Sequence, residues 1–344
     1  MDTTDDALPP PSLLPDEIQR DSDIWFEDGN VIVIAQNTAF RFHKGVLSHH
    51  SQVFRDLFLV PQPSISRAGS SIDVLDGCPV VRVSDTSYDF RELLRAIYGG
   101  VSYLHPDRSA AFPVLAALGR LAHKYQLDQL LEAVVHRLKS TFTTQLEVWD
   151  RSGGFENPTR SPLKLSHRHA IEALNLIRLL DKPEMVPTAL YCCCQLGPDA
   201  LVLGLKREDR VSLECLSSSD LVLCLETKAL LVRQTVLLLS RLCQALAARI
   251  KEAADDGRCP SQFTCVVALK RLLDNWRDFP HEYTDEDPLN EYYMETLDAE
   301  EADEKMCSAC VGAVRIKLSE LRKEAWMDLP HLMRLKLEGW TSPS

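Results

Sequence analysis

The segment that decides the fold of the amino-terminal part is "FRFHKGVLSHHSQVFRDLF", which runs from Phe40 to Phe58. After Lys44 its apolar residues recur at helical spacing and predict a helix with one buried face. Its histidines raise the question of a catalytic or metal-binding site. His49 and His50 are neighbours, and neighbours on a helix point about 100° apart, so we interpret the pair as solvated.

Strand and helix patterns flank this segment on both sides. Before it, a turn signal at Gly29-Asn30 separates two strand-like runs, "DIWFED" and "VIVIAQNTAFRF", which we expect to pair as a hairpin. After it, Pro and Gly in "PQPSISRAGSS" end the helix, and a short strand is predicted at "PVVRVSD". Further helices are predicted in "SYDFRELLRAIYGG" and, with a bend between Gln126 and Asp128, in "FPVLAALGRLAHKYQLDQLLEAVVHRL".

Taken in this order, four of these patterns resemble a BTB/POZ domain, a small α/β module used for protein association. The first is Asp23, which opens the first strand, and the second is the His-Lys pair followed by Val/Leu, Ser and Phe in the segment quoted above. The residues that carry the other two patterns are Phe90, Leu94, Ile97, Tyr98, Ala122, Tyr125 and Leu130. The resemblance implies an α/β fold for the first 140 or so residues. It also implies that His43 is a structural residue at the turn from strand to helix, where it satisfies nearby backbone groups.

The resemblance also implies protein association, because many family members dimerise through the first strand and the first helix. The residues expected at such an interface are Ile24, Trp25, Phe26, Val46, Leu47, Phe54 and Phe58. Members that bind a cullin often carry a hydrophobic-x-Glu motif after the helix that corresponds to "QVFRDLF", whereas this chain continues "LVPQPSIS" without a Glu. We therefore predict a non-enzymatic interaction protein, a homodimer or the binder of another protein, with a substrate adaptor of a cullin ubiquitin ligase as the alternative.

The rest of the chain shows helical patterns without a regular repeat and predicts an all-α carboxy-terminal domain. We divide the chain into a disordered, acidic and Pro-rich lead-in (1–20), the BTB/POZ-like domain (21–140), a linker (141–165) and the helical domain (166–344). Within the last, residues 278–304 contain no Lys or Arg and are expected to form an acidic loop, either solvated or a docking site for a basic partner. "LYCCC", "CSAC" and "EAWMDLPHLMRLKLEGW" resemble the helical regions that follow BTB domains in fungal proteins.

Two cysteine pairs in the helical part predict a metal site. "CPSQFTC" supplies one pair, and "CSAC" supplies the other at the two-residue spacing of zinc knuckles. A structural zinc ion would be bound by Cys259, Cys265, Cys307 and Cys310. His281 or His331 could replace one ligand. The alternative is that the four residues are small buried thiols, since free cysteines are among the most buried side chains.

Other side chains that could support chemistry have simpler interpretations. Cys192–Cys194 point in three directions around a helix and are expected to pack in a core, and the His169/Glu172 pair is expected to form a surface salt bridge. Trp326 and Trp340 could close a helical core or mark a binding face. The sequence contains no Gly-rich phosphate loop, nucleophile elbow or His-Glu-x-x-His helix. No catalytic residue is predicted, and a thiol or metal-dependent enzyme in the helical half is the alternative from another class.

The composition limits the partners and the compartment. The 344 residues suffice for two domains, and 38 basic against 50 acidic residues give a net charge of −12, which argues against nucleic acid as the partner. No run reaches the roughly 18 apolar residues of a membrane span, and the amino terminus lacks the pattern of a secretory signal. The 11 cysteines are then expected to stay reduced, in the cytoplasm or the nucleus.

Overall fold

The computed structural model describes residues 18–59, 74–100, 103, 109–152, 163–255, 259–337 and 340. The predicted lead-in up to residue 17, the segment "PQPSISRAGSS" and residues 153–162 of the predicted linker lie outside this described part. The described residues fall into two compact units. The first extends to Leu138 and includes Leu163–Lys164 and Glu208–Arg210, and the second contains the remaining described residues.

A five-stranded mixed sheet forms the centre of the first unit. Its strands are β1 (Gln19–Trp25), β2 (Val31–Ala35), β3 (Thr38–Phe42), β4 (Val74–Leu75) and β5 (Cys78–Val83), in the order β1-β3-β2-β5-β4. Strand β2 pairs antiparallel with β3 and parallel with β5, and β1 runs parallel to β3. All five residues of β2 are apolar and buried, as expected for a strand covered on both faces.

The predicted hairpin across Gly29-Asn30 is wrong. The hairpin joins β2 and β3, and its turn begins at Gln36, whose φ of 50° provides the left-handed backbone of a tight turn. Gly29 has a different purpose, because a Cβ atom there would lie 2.9 Å from the backbone N of Phe42. The glycine that resembles a hairpin signal therefore permits a close approach of two backbone segments.

Five helices pack around this sheet: α1 (Lys44–His50), α2 (Gln52–Leu59), α3 (Ser87–Gly99), α4 (Phe112–Lys124) and α5 (Asp128–Lys139). The predicted helix after Lys44 is divided at Ser51, whose Oγ accepts a hydrogen bond from the Phe54 N–H at 3.1 Å and donates one to the Tyr125 carbonyl at 2.5 Å. The rings of Phe40, Phe42, Phe54 and Phe90 meet in the core. The short strands β6 (Ala110–Ala111) and β7 (Leu163–Lys164) pair in parallel.

The described residues of the second unit are helical apart from one short antiparallel pair of strands, which confirms the predicted fold class. Its helices are α6 (Leu146–Arg151), α7 (Ala170–Leu179), α8 (Val186–Cys194), α9 (Pro198–Leu203), α10 (Ser218–Asp255), α11 (Gln262–Asp278), α12 (Tyr292–Ala302) and α13 (Ser308–Leu332). The strands are β8 (Leu205–Lys206) and β9 (Leu213–Glu214). Helix α6 lies inside the predicted linker, and α12 lies inside the segment expected to be a loop.

The core of the second unit lies among α10, α11 and α13. Leu242, Leu269 and Leu318 are fully buried there. Trp326 is buried and its ring stacks on that of Trp340 at 5.2 Å between centroids, which supports the interpretation of these tryptophans as closing a helical core. Within the described residues, no helix combines the length and hydrophobicity that crossing a membrane requires.

Candidate metal centre

The four predicted cysteine ligands lie together in the second unit. The Sγ atoms of Cys259, Cys265, Cys307 and Cys310 all lie within 4.8 Å of one another. Cys259, Cys265 and Cys310 are buried, and Cys307 is half-buried. The sequence pattern therefore identified a cluster that could hold a metal ion.

Two helix starts position three of the four sulfurs, and Cys259 lies just before the first of these helices. Cys265 lies in the first turn of α11, where its N–H bonds the Ser261 carbonyl at 2.9 Å. Cys307 is the N-cap residue of α13, and Cys310 lies in the first turn of the same helix. The Cys310 N–H donates to the Cys307 carbonyl at 3.0 Å, so the two-residue spacing turns both side chains toward one point.

The spacing of the sulfurs fits a tetrahedral metal ion. A zinc ion bound at about 2.3 Å from each of four sulfurs requires sulfurs about 3.8 Å apart. Cys259 Sγ lies 3.8 Å from Cys307 Sγ and 3.6 Å from Cys310 Sγ. The ligand set and the distances therefore fit zinc, which prefers sulfur and nitrogen ligands in this geometry.

The electrostatic surroundings favour thiolates at this position. The N-terminal ends of α11 and α13 point at the cluster and carry partial positive charge. The Cys307 N–H donates to Cys265 Sγ at 3.2 Å, and Arg249 Nη2 donates to Cys310 Sγ at 3.3 Å. Both donors stabilise negative charge on sulfur.

Burial has the opposite effect, because it disfavours the charged thiolate and makes the thiols less acidic. It raises the pKa of Cys310 to about 12 and also raises the pKa of Cys265. Burial would raise the pKa of Cys307 too, but hydrogen bonds from the Cys310 N–H and the neighbouring thiols bring it below its ordinary value. A bound cation reverses the penalty of burial, because a coordinating thiol is deprotonated outright.

The other residues considered as ligands lie outside this cluster. His281 and His331 are exposed, and neither belongs to the four-sulfur group. Arg249 was not predicted, because it lies on α10, a helix that supplies no ligand. Whether the Arg249 side chain points toward the cysteines depends on how α10 packs, and no local sequence pattern indicates this.

The three histidines of the opening segment have no part in a metal cluster among the described residues. His43 lies at the strand-to-helix turn, with its Nδ1 3.2 Å from the Tyr98 hydroxyl and its Nε2 3.2 Å from the Asp28 carboxylate. The predicted structural position is confirmed, with side-chain rather than backbone partners for the ring. His49 and His50 are exposed and line an open surface cavity of about 720 Å³.

The predicted interface residues divide into two groups. Ile24, Leu47 and Phe54 are buried in the core of the first unit, so they cannot face a partner directly. The residues that keep partly exposed side chains are Trp25, Phe26, Val46 and Phe58. The sequence of a helix shows that one face is apolar. It does not show whether the same chain or another chain covers that face.

Two other features differ from their predicted setting. Glu172 is buried, and its carboxylate lies 3.9 Å from Arg207, so its predicted position on the surface is wrong. The acidic segment uses some of its charge within the second unit. Its ion pairs include those of Glu286 with Lys228, Glu300 with Arg271, and Asp298 and Glu301 with Arg315. Cys192–Cys194 are fully buried, as predicted.

Comparison with known families identifies the first unit. The family model of the BTB/POZ domain matches residues 26–141, the range that holds the sheet from β2 onward and α1–α5. The chain therefore contains a BTB/POZ domain, a module that generally mediates protein–protein interaction. A comparison with curated proteins found no match to the chain.

Proposed function

We propose that the chain is a non-enzymatic interaction protein that forms a homodimer through its BTB/POZ domain. The observation that carries this proposal is the BTB/POZ match across residues 26–141. Trp25, Phe26, Val46 and Phe58 supply partly exposed apolar area on β1, α1, α2 and the segment after β1. A stable interface buries about 1,200–2,000 Å² in total, so these side chains would form its apolar part together with a polar rim.

The oligomeric state of the full chain in solution tests this function. We expect a molar mass of about twice the 38.7 kDa of one chain, by light scattering after size exclusion. The variant V46D places a charge on the proposed surface and should give a monomer that keeps its helical content. The matched control L203D changes a residue on α9 that is 67% exposed, and it should leave the dimer intact.

Other outcomes point to the alternatives. A monomeric wild-type chain, or a V46D variant that stays dimeric, contradicts the proposed surface. Co-purification of a monomer with a cullin would favour the adaptor function instead. A thiol enzyme would require a cysteine that is alkylated rapidly in the folded chain, since only an accessible thiolate is reactive.

We also propose that the second unit binds one structural zinc ion through Cys259, Cys265, Cys307 and Cys310. The single observation that supports this is the approach of four sulfurs to within 4.8 Å of one another. Because the ligands come from the starts of two helices, the ion would hold those starts together. X-ray absorption at the zinc edge should show four sulfur neighbours at about 2.3 Å. A first shell containing nitrogen or oxygen would contradict the four-thiolate site.

A further inference from the structure

A third helix donates a side-chain hydrogen bond to the cysteine cluster. Arg249 lies on α10, and its Nη2 is 3.3 Å from Cys310 Sγ. Its Nη1 donates to Glu252 Oε2 at 3.1 Å. We propose that Arg249 is a positioning residue of the zinc centre, which balances the charge of the thiolates and raises the affinity for the ion. This inference rests on the proposed zinc site.

The need for such a residue follows from the charge of the site. A Zn²⁺ ion neutralises only two of four thiolate charges, so the bound centre keeps about two negative charges. Burying uncompensated charge is costly, and Cys259, Cys265 and Cys310 are buried. The helix starts of α11 and α13 contribute partial charges only, each equivalent to about half a unit. A guanidinium adds a full charge, which it keeps at every physiological pH.

The surroundings of Arg249 favour an interaction with a negatively charged sulfur. The side chain of Arg249 is only 11% exposed, whereas that of Glu252 is 61% exposed. The Glu252 carboxylate therefore screens the positive charge of the guanidinium on the solvent side only. The Nε of Arg249 is buried without a hydrogen-bond partner among the described residues. A neutral thiol is a weak acceptor, and hydrogen bonds to charged acceptors are stronger. The guanidinium is therefore best satisfied when the Cys310 sulfur is a thiolate.

The arrangement connects α10 to the metal although α10 supplies no ligand. Cys259 precedes α11 and Cys265 lies in its first turn, and Cys307 and Cys310 lie at the start of α13. Through Arg249, binding of the ion favours a fixed position for the end of α10 as well. Outer-shell partners of this kind orient the ligands and increase metal affinity.

Zinc affinity of three full-length variants tests the inference. R249Q keeps a polar side chain without the charge, R249K keeps the charge with a different geometry, and R241Q is the matched control. Arg241 also lies on α10, where it pairs with Glu324 at 3.0 Å on an exposed surface. Competition with a chromophoric chelator should show zinc binding about 10- to 100-fold weaker in R249Q. R249K should recover part of the loss, and R241Q should equal the wild type.

The absorption spectrum of the cobalt-substituted chain gives a second measurement, which a change in packing alone would leave unchanged. Loss of the donor to Cys310 Sγ should shift the thiolate-to-cobalt charge-transfer band in R249Q and leave it unchanged in R241Q. Equal zinc affinities and equal spectra for R249Q and R241Q, with a wild type that binds one zinc ion, would overturn the assignment of Arg249 alone. A wild-type chain that binds no zinc would overturn the zinc site itself and the inference with it.

Discussion

The backbone N–H of Cys307 donates a hydrogen bond to the Sγ of Cys265, 3.2 Å away. The donor belongs to the N-cap residue of α13 and the acceptor to the first turn of α11. The bond joins the starts of two helices at the point where positive partial charges from both converge. A sulfur that accepts a backbone N–H in such a position is well prepared to carry negative charge and to bind a cation.

Removal of one sulfur should abolish zinc binding. We expect C310S to retain no zinc after purification and to lose helical content, because structural zinc contributes about 10–16 kcal/mol to the folding of small zinc-binding units. Metal analysis and far-UV circular dichroism measure the two effects. The matched control is C215S, which changes an exposed cysteine outside the cluster and should keep one zinc ion per chain. Equal zinc contents in both variants would contradict the assignment.

Loss of a buried ion pair should destabilise the BTB/POZ domain. Arg120 donates two hydrogen bonds of 2.8 Å to the Asp89 carboxylate, and the two side chains are 15% and 6% exposed. R120M leaves a buried carboxylate without this cation and should lower the free energy of unfolding by about 3–5 kcal/mol. Hydrogen exchange of the β2 amides follows this unit separately. The control R20A breaks the exposed pair with Asp76 and should change that free energy by less than about 1 kcal/mol.

Substitution of a core residue of the opening segment should lower the stability of the BTB/POZ domain without changing its oligomeric state. Phe54 is fully buried, and its ring stacks on Tyr125 at 4.1 Å between centroids. F54A should therefore lower the free energy of unfolding by about 3–5 kcal/mol, as measured by the same exchange experiment. It should leave the molar mass of the folded fraction at that of the wild type. Dissociation of F54A without loss of stability would mean that Phe54 faces a partner.

The stability of the second unit should fall in mild acid because of His169. Burial, assisted by the charge of Arg168, lowers the pKa of this ring to about 4. In the unfolded chain this ring has the ordinary histidine pKa of about 6.5 and is protonated below that pH. In the folded chain the ring is protonated only below about pH 4. Stability is present above pH 6.5 and decreases as the pH falls through this window. Protonation would also cost the hydrogen bond that Nδ1 accepts from the Ser166 N–H.

Urea denaturation at a series of pH values measures this dependence. H169Q should show a smaller decrease in the midpoint between about pH 6.5 and pH 4. H281Q, which changes an exposed histidine, should reproduce the wild-type curve. Wild-type and H169Q curves of the same slope would show that another group controls the acid sensitivity.

Local patterns were sufficient for the parts of the structure that depend on local geometry. The strand and helix patterns around Lys44, through their resemblance to a BTB/POZ domain, predicted the fold class of the first unit, and two short motifs predicted the cysteine cluster. The pairing of β1 with β3 is a contact between distant segments and has no local signal, which is why Gly29 suggested the wrong hairpin. The contact of Arg249 with Cys310 likewise depends on how whole elements pack.

Native mass spectrometry of the intact full-length chain tests the central claim most directly, because it counts chains and metal ions together. The account predicts a complex of two chains that carries two zinc ions, both of which are lost on acid denaturation. A folded chain that carries no metal, or that has the mass of a form with disulfide bonds among Cys259, Cys265, Cys307 and Cys310, would contradict it.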